Sequence, residues 1–248
     1  MRFAMILAAL MAPLSALAHG VEMTVDQTAV TAGKVHLSFI LQTADGEEIT
    51  DQELAETMTK KLHFQLFDAA LTEYRHVHPD YVKADDRWEV DVDLPVNGNY
   101  RLYAEGTLAD DGDEFAAGGK LAVSGGVDAN AIPASLGDHR SAAADVSVAT
   151  LDNTVFHAGK MAMPMLNLSR TDGQPAVITP YLGVPAHVTA TPMDGASLVH
   201  VHPMASSPTA TELMIHLNFA QAGDYRIWVE FVESGVYRVV PLSVTVQP

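Results

Sequence analysis

Two stretches of the chain repeat one arrangement of histidines. His63 precedes His76-Val77-His78-Pro79 by 13 residues, and His187 precedes His200-Val201-His202-Pro203 by the same 13. A neutral imidazole gives a nitrogen lone pair to copper or zinc, and three such rings with a fourth place open suit either metal. Alternate residues of a strand share a face, so each His-x-His presents two rings side by side. The proline behind each pair cannot donate to a ladder, which marks a strand end or edge that an ion can reach. If the strand carrying the first histidine pairs antiparallel with the one ending in His-x-His, a connection of about a dozen residues gathers all three rings. The competing reading is of structural histidines that hydrogen-bond strand to loop. Recurrence of the whole set in two otherwise diverged copies favours metal, because core packing does not require it.

The histidines sit inside a longer duplication. Ala32-Gly33-Lys34, Asp45-Gly46 and Gly98-Asn99-Tyr100-Arg101 return as Ala158-Gly159-Lys160, Asp172-Gly173 and Gly223-Asp224-Tyr225-Arg226. Two tandem modules follow, residues 19–124 and 145–248. The linker 125–144 is rich in Ala, Gly, Ser and Asp, and its His139 reads as solvated surface. Within each copy apolar residues recur at every second position: Val35, Leu37, Phe39; Trp88, Val90, Val92, Leu94; Leu213, Ile215, Leu217, Phe219; Tyr225, Ile227, Val229, Phe231. That period denotes strands. Only Asp51 to Lys60 reads as a helix, capped at Thr50 or Asp51. The expected fold is all-β: two tandem antiparallel β-sandwiches, immunoglobulin-like or cupredoxin-like, with the strand order undetermined.

Composition narrows the function. The 248 residues hold 14 Lys+Arg against 31 Asp+Glu, a formal charge of −17, and no cysteine. So acidic a chain lacks the basic face that nucleic acid or an anionic membrane needs. Without cysteine there is no disulfide and no thiolate chemistry, which leaves imidazole, thioether and carboxylate as metal ligands. Met1 to Ala18 reads as a cleaved signal peptide ending in Ala16-Leu17-Ala18, with no later segment apolar enough for a membrane anchor. The expected location is periplasmic. Cleavage there would make His19 the N-terminal residue, whose amine and ring chelate copper(II) as the N-termini of secreted lytic polysaccharide monooxygenases do.

Methionines supply further candidates. Met161, Met163 and Met165 resemble copper(I)-binding Met-x-Met runs, yet alignment on Gly-Lys sets them opposite Val35, Leu37 and Phe39, so they are expected in the core. Met193 and Met204 could add a thioether to the second triad; Met204 stands where the first copy has Asp80. That would give a softer second site for copper(I), with copper(II) or zinc in the first. His36, His157 and His216 occur in one copy only.

Leu62-His63-Phe64, the Leu71 to Pro79 block, the Gly-x-Tyr-Arg strands and Pro180-Tyr181-Leu182-Gly183 before the second His-x-His-Pro together span most of residues 30 to 246. This combination resembles a family of secreted or periplasmic bacterial proteins with repeated His-x-His-Pro modules. The resemblance implies handling of copper or another heavy metal through His63, His76, His78, His187, His200 and His202. One departure is Ala186 before His187, where that family has glycine. The function expected first is a periplasmic protein that sequesters or relays copper, with zinc as the alternative ion and a transporter or chaperone as partner. An oxidase or monooxygenase using His19, and a metal-free immunoglobulin-like interaction protein, are the alternatives. No Ser/His/Asp, paired-carboxylate or phosphate-loop pattern assigns catalytic residues.

Overall fold

A computed structural model describes residues 20–57, 59–201 and 203–248. The proposed signal peptide, His19 and His202 lie outside the described residues.

The first repeat is a sandwich of two sheets. One has the strand order Val21–Val25, Gly33–Thr43, Arg87–Leu94, Asp80–Val82, and the other Ala29–Thr31, Glu114–Ser124, Gly98–Leu108, Leu62–Asp68, Tyr74–Val77, with Leu54–Ala55 also on Gly98–Leu108. Pairing is antiparallel apart from Ala29–Thr31 on Glu114–Ser124. The alternation read from sequence fixes the inner faces. Val35, Leu37, Phe39 and Leu41 turn inward, and Phe39 stacks on Phe64 of the opposite sheet at 4.9 Å.

The second repeat follows the same plan. Ser141–Ala144, Ser147–Leu151, Met165–Arg170 and Glu212–Met214 face a sheet of Ile178–Thr179, Gly223–Glu233, His187–Pro192 and Val199–Val201, extended by Val236–Val246 on Gly223–Glu233. The chain is therefore two tandem β-sandwiches, and the structure supplies the strand order. The shared Gly-x-Tyr-Arg motif is explained locally. Gly98 and Gly223 open equivalent strands at φ of 142° and 134°, a region costly for a side chain. The tyrosine hydroxyls donate to carbonyls four residues back, Tyr100 to Val96 and Tyr225 to Gln221, as in the tyrosine corners of immunoglobulin-like sandwiches.

Three expectations change. Residues 51–60 form no helix: the Thr50 amide and hydroxyl both donate to the Glu53 carboxylate, but buried Leu54 and half-buried Ala55 then pair with Leu108 and Thr107 as a short strand. Ladder pairing and burial of Leu54 outweigh the local cap. The linker is partly packed: Leu136 is buried and Asp224 accepts hydrogen bonds from the Leu136 and Gly137 amides. His139, exposed at its side chain, pairs with Ser243 through the backbone, and the second repeat starts at Ser141.

Third, Met161, Met163 and Met165 are 61%, 57% and 39% exposed. Pro164 interrupts the strand, and Leu166 and Leu168 fill the core instead. A one-residue shift in phase exchanges the two faces of a strand.

The repeats pack against each other through the outer faces of their larger sheets. Every position of Leu62–Asp68 is buried: Leu62, Phe64 and Leu66 enter the first core, while His63, Gln65 and Phe67 alternate onto the opposite face. His187–Pro192 does the same as far as Thr191, with Val188 and Ala190 in the second core and His187, Thr189 and Thr191 on the other face. Trp228 locks this interface, stacking on Tyr74 at 4.5 Å and meeting Phe67 at 5.3 Å. Nearby, the Tyr103 hydroxyl donates to the Gly195 carbonyl at 2.8 Å.

Candidate metal centre

The described members of the two histidine sets, His63, His76, His78, His187 and His200, meet at this interface. Each first histidine lies on a strand antiparallel to its His-x-His, with Gln65 opposite His76 and Thr189 opposite His200. That pairing is the one the spacing required. The separation into two centres of different softness is not found, because the rings converge. His63 lies 5.3 Å from His76, 5.0 Å from His78 and 5.2 Å from His200 between ring centroids. His187 lies 5.5 Å from His76 and 5.9 Å from His200. Candidate ligand nitrogens of His63, His76 and His200 all fall within 4.8 Å of one another, and His63 Nδ1 is 3.1 Å from His76 Nε2. Nitrogens tetrahedrally bound at ~2.0 Å would be roughly 3.3 Å apart, so modest ring movement suffices to close on an ion.

The outer nitrogens are anchored in matching pairs. His63 Nε2 donates to the Thr57 carbonyl at 3.4 Å, and His187 Nε2 to the Tyr181 carbonyl at 3.2 Å, each six residues upstream. His76 Nδ1 donates to Glu230 at 3.1 Å, and His200 Nδ1 is 3.1 Å from Glu105 in ion-pair rather than hydrogen-bond geometry. Glu105 and Glu230 occupy equivalent places, opposite His63 and His187 in their sheets. Each carboxylate therefore holds a histidine of the other repeat. These anchors put the ring lone pair on Nδ1 of His63 and His187 and on Nε2 of His76, whereas His200 Nδ1 accepts from the Gln65 side-chain amide at 3.3 Å. Metal-binding histidines are held in this way, with the far N–H on a carboxylate or carbonyl. His78 belongs to the cluster, and its Nε2 is buried without a hydrogen-bond partner among the described residues.

Electrostatics keep four of the rings, His63, His76, His78 and His187, neutral. Burial, reinforced by neighbouring rings, pushes His63 down to about 4, His187 to about 3 and His78 to about 2. His76 is also lowered by burial, against the pull of Glu230. Burial alone would raise Glu230, yet His76 and the hydroxyls of Tyr237 and Tyr74, at 2.6 and 2.7 Å, hold it at about 2. Glu230 is thus a fully buried anion with no Lys or Arg in contact among the described residues. A cation among the rings would compensate it. Two clefts reach the cluster: His76 and His78 open beside Asp80, Asp91 and Tyr181, and His63 and His200 beside Glu105 and Glu114.

The remaining candidates lie elsewhere. Met204 is 60% exposed and pairs with Met214 at the sheet surface, so it does not complete the buried ring cluster. Met193 packs at the Trp228 interface. His36 is exposed, bonded to Asp91 at 2.9 Å, and the His157 ring contacts the Pro248 carbonyl. Sequence reasoning missed Glu105 and Glu230, although the shared motif Gly-x-Tyr-Arg-x-aromatic-x-Glu contains both.

Residues 16–123 and 142–248 each match the family described as a domain of unknown function, DUF8832. The chain belongs to that family and carries two copies of its domain. No curated protein matches it. Among solved structures it is similar to the fibronectin(III)-like modules of Clostridium thermocellum CbhA, with 13% identity over 91% of this chain and 94% of that one and a TM-score of 0.25. The Escherichia coli adhesin FdeC gives 14% identity over 93% and 65% of the two chains, TM-score 0.28. Trypsin-activated alpha-2-macroglobulin of Escherichia coli gives 12% over 93% and 16%, TM-score 0.29. At these scores the likeness carries no functional meaning.

Proposed function

We propose that the protein is a metal-binding protein of the periplasm that holds one copper ion, with zinc as the alternative, between its two repeats for sequestration or relay. The observation that carries this reading is the convergence of His63, His76 and His200 nitrogens within 4.8 Å, drawn from both repeats. Neutral imidazoles without thioether or thiolate suit copper(II) or zinc. Buried Glu230 supplies countercharge and ring orientation, and the acidic clefts offer entry for a cation. A transporter or chaperone that gives or receives the ion would be the partner.

The test is metal analysis and competitive titration of the exported protein, wild type beside a His63→Ala/His200→Ala variant. One equivalent of tightly held copper or zinc, lost in the variant, is expected. Absence of either metal from wild-type protein, together with no binding on titration, would leave the histidines as an interface network and overturn the reading.

A further inference from the structure

The histidine centre leaves the exposed methionines unexplained. Met165 stands directly opposite Met214 on the neighbouring strand, and Met214 pairs on its other side with Met204, through backbone bonds of 2.7 and 3.0 Å. Directly opposed residues share a face, with Cβ atoms roughly 4.5–5.5 Å apart. The three methionines therefore form a row across three chain segments. All lie on the outer side, since their neighbours Leu166 and Leu213 are fully buried while Met165, Met214 and Met204 are 39%, 38% and 60% exposed. Met163 and Met161, on the same run at alternate positions, are 57% and 61% exposed.

Three flexible thioethers in one solvent-facing row call for an explanation beyond packing. Apolar side chains on an exposed strand lose no area from water, and aliphatic packing gains nothing from sulfur there. Thioethers are soft, uncharged donors that select copper(I) over zinc or copper(II), and methionine's three rotatable bonds let sulfurs one strand apart converge on one ion. We propose that Met165, Met204 and Met214 form a surface copper(I) site, separate from the buried histidine centre. The site takes a monovalent soft cation without any redox step. It depends on none of the histidines, so it can stand or fall apart from the reading above.

The test uses the full exported protein with 13C-labelled methionine methyl groups, titrated with silver(I) as a redox-inert probe and with copper(I) delivered anaerobically from a chelator complex. Silver(I) should shift the methyl signals of Met165, Met204 and Met214, while Met23 and Met193 stay in place and zinc moves none of the three. A Met165→Leu/Met204→Leu/Met214→Leu variant keeps the exposed apolar volume, so it should stay folded and lose at least tenfold in copper(I) affinity. A Met193→Leu control should bind as wild type. Unmoved signals with silver(I) at several equivalents, or unchanged copper(I) affinity in the triple variant, would overturn the proposal and leave the patch as an apolar surface.

Discussion

The carboxylate of Glu230, on the second repeat, lies 3.1 Å from Nδ1 of His76, on the first. No sequence window contains both residues, and this contact makes the orientation of a first-repeat ring depend on how the second repeat is docked. Its counterpart, Glu105 with His200, runs the other way across the same boundary.

Replacing Glu230 with Gln removes the buried anion that orients His76 while leaving shape nearly constant. Loss of such a supporting carboxylate costs roughly 10–100-fold in metal affinity. Glu105→Gln should cost less, because Glu105 retains 16% side-chain exposure and its contact is poorly aligned. Competitive chelator titration of both variants reads the order, and an equal or reversed effect would contradict the assigned roles.

Stoichiometry separates one shared centre from two independent ones. His76→Ala/His78→Ala should abolish tight binding outright, as should His200→Ala, because ligands from both repeats surround one place. If either variant keeps half of the bound metal, the two triads act separately.

Acid should weaken the metal-free fold early. In the unfolded chain a histidine takes up a proton near its ordinary value of 6.5, whereas folded His63 and His187 hold off until about 4 and about 3. Below 6.5 the unfolded state binds more protons, so stability falls with falling pH, by up to about 1.4 kcal/mol per pH unit for each such ring. The Glu230 contribution, present above its ordinary 4.5, is lost as pH drops toward about 2. Urea titrations of metal-free protein at pH 7, 5.5 and 4.5 should show a steady drop in midpoint. An ion on the rings at a hundred times its Kd should add about 2.7 kcal/mol at pH 7.

Trp228→Ala should cost about 3–5 kcal/mol, the range for deleting a large buried aromatic ring. Trp228 is 1% exposed and touches Tyr74 and Phe67 across the boundary. Beyond the lower melting temperature, calorimetry should resolve two transitions where wild type shows one, and metal affinity should fall although no ligand has changed. A single transition with unaltered affinity would show that the repeats are held together elsewhere.

Much of the fold could be read from residues such as Leu37, Phe39, Val90 and Val92, whose alternation encodes a one-sided strand. The antiparallel partnership of the His63 and His76 strands followed from their spacing. Period two could not show that Leu62–Asp68 is buried on both faces, because polar His63 and Gln65 look solvent-facing until another module covers them. The same blindness concealed the merging of two triads, which depends on rigid-body packing. Counting from Gly159-Lys160 places Met161, Met163 and Met165 in the core, but Pro164 breaks the phase of that count. Thr50 and Glu53 gave a sound helix-start signal that burial of Leu54 overrode.

The exchange of carboxylates has a two-fold symmetry. When residue i of one half touches residue j of the other and j in turn touches i, the contact has the form of an isologous two-fold interface between identical subunits. Each module alone carries half of this constellation, which the other completes. Equivalent positions nonetheless differ, as Gln65 and Thr189 or Phe67 and Thr191 do. The boundary between the repeats therefore has the form of a homodimer interface within a single polypeptide.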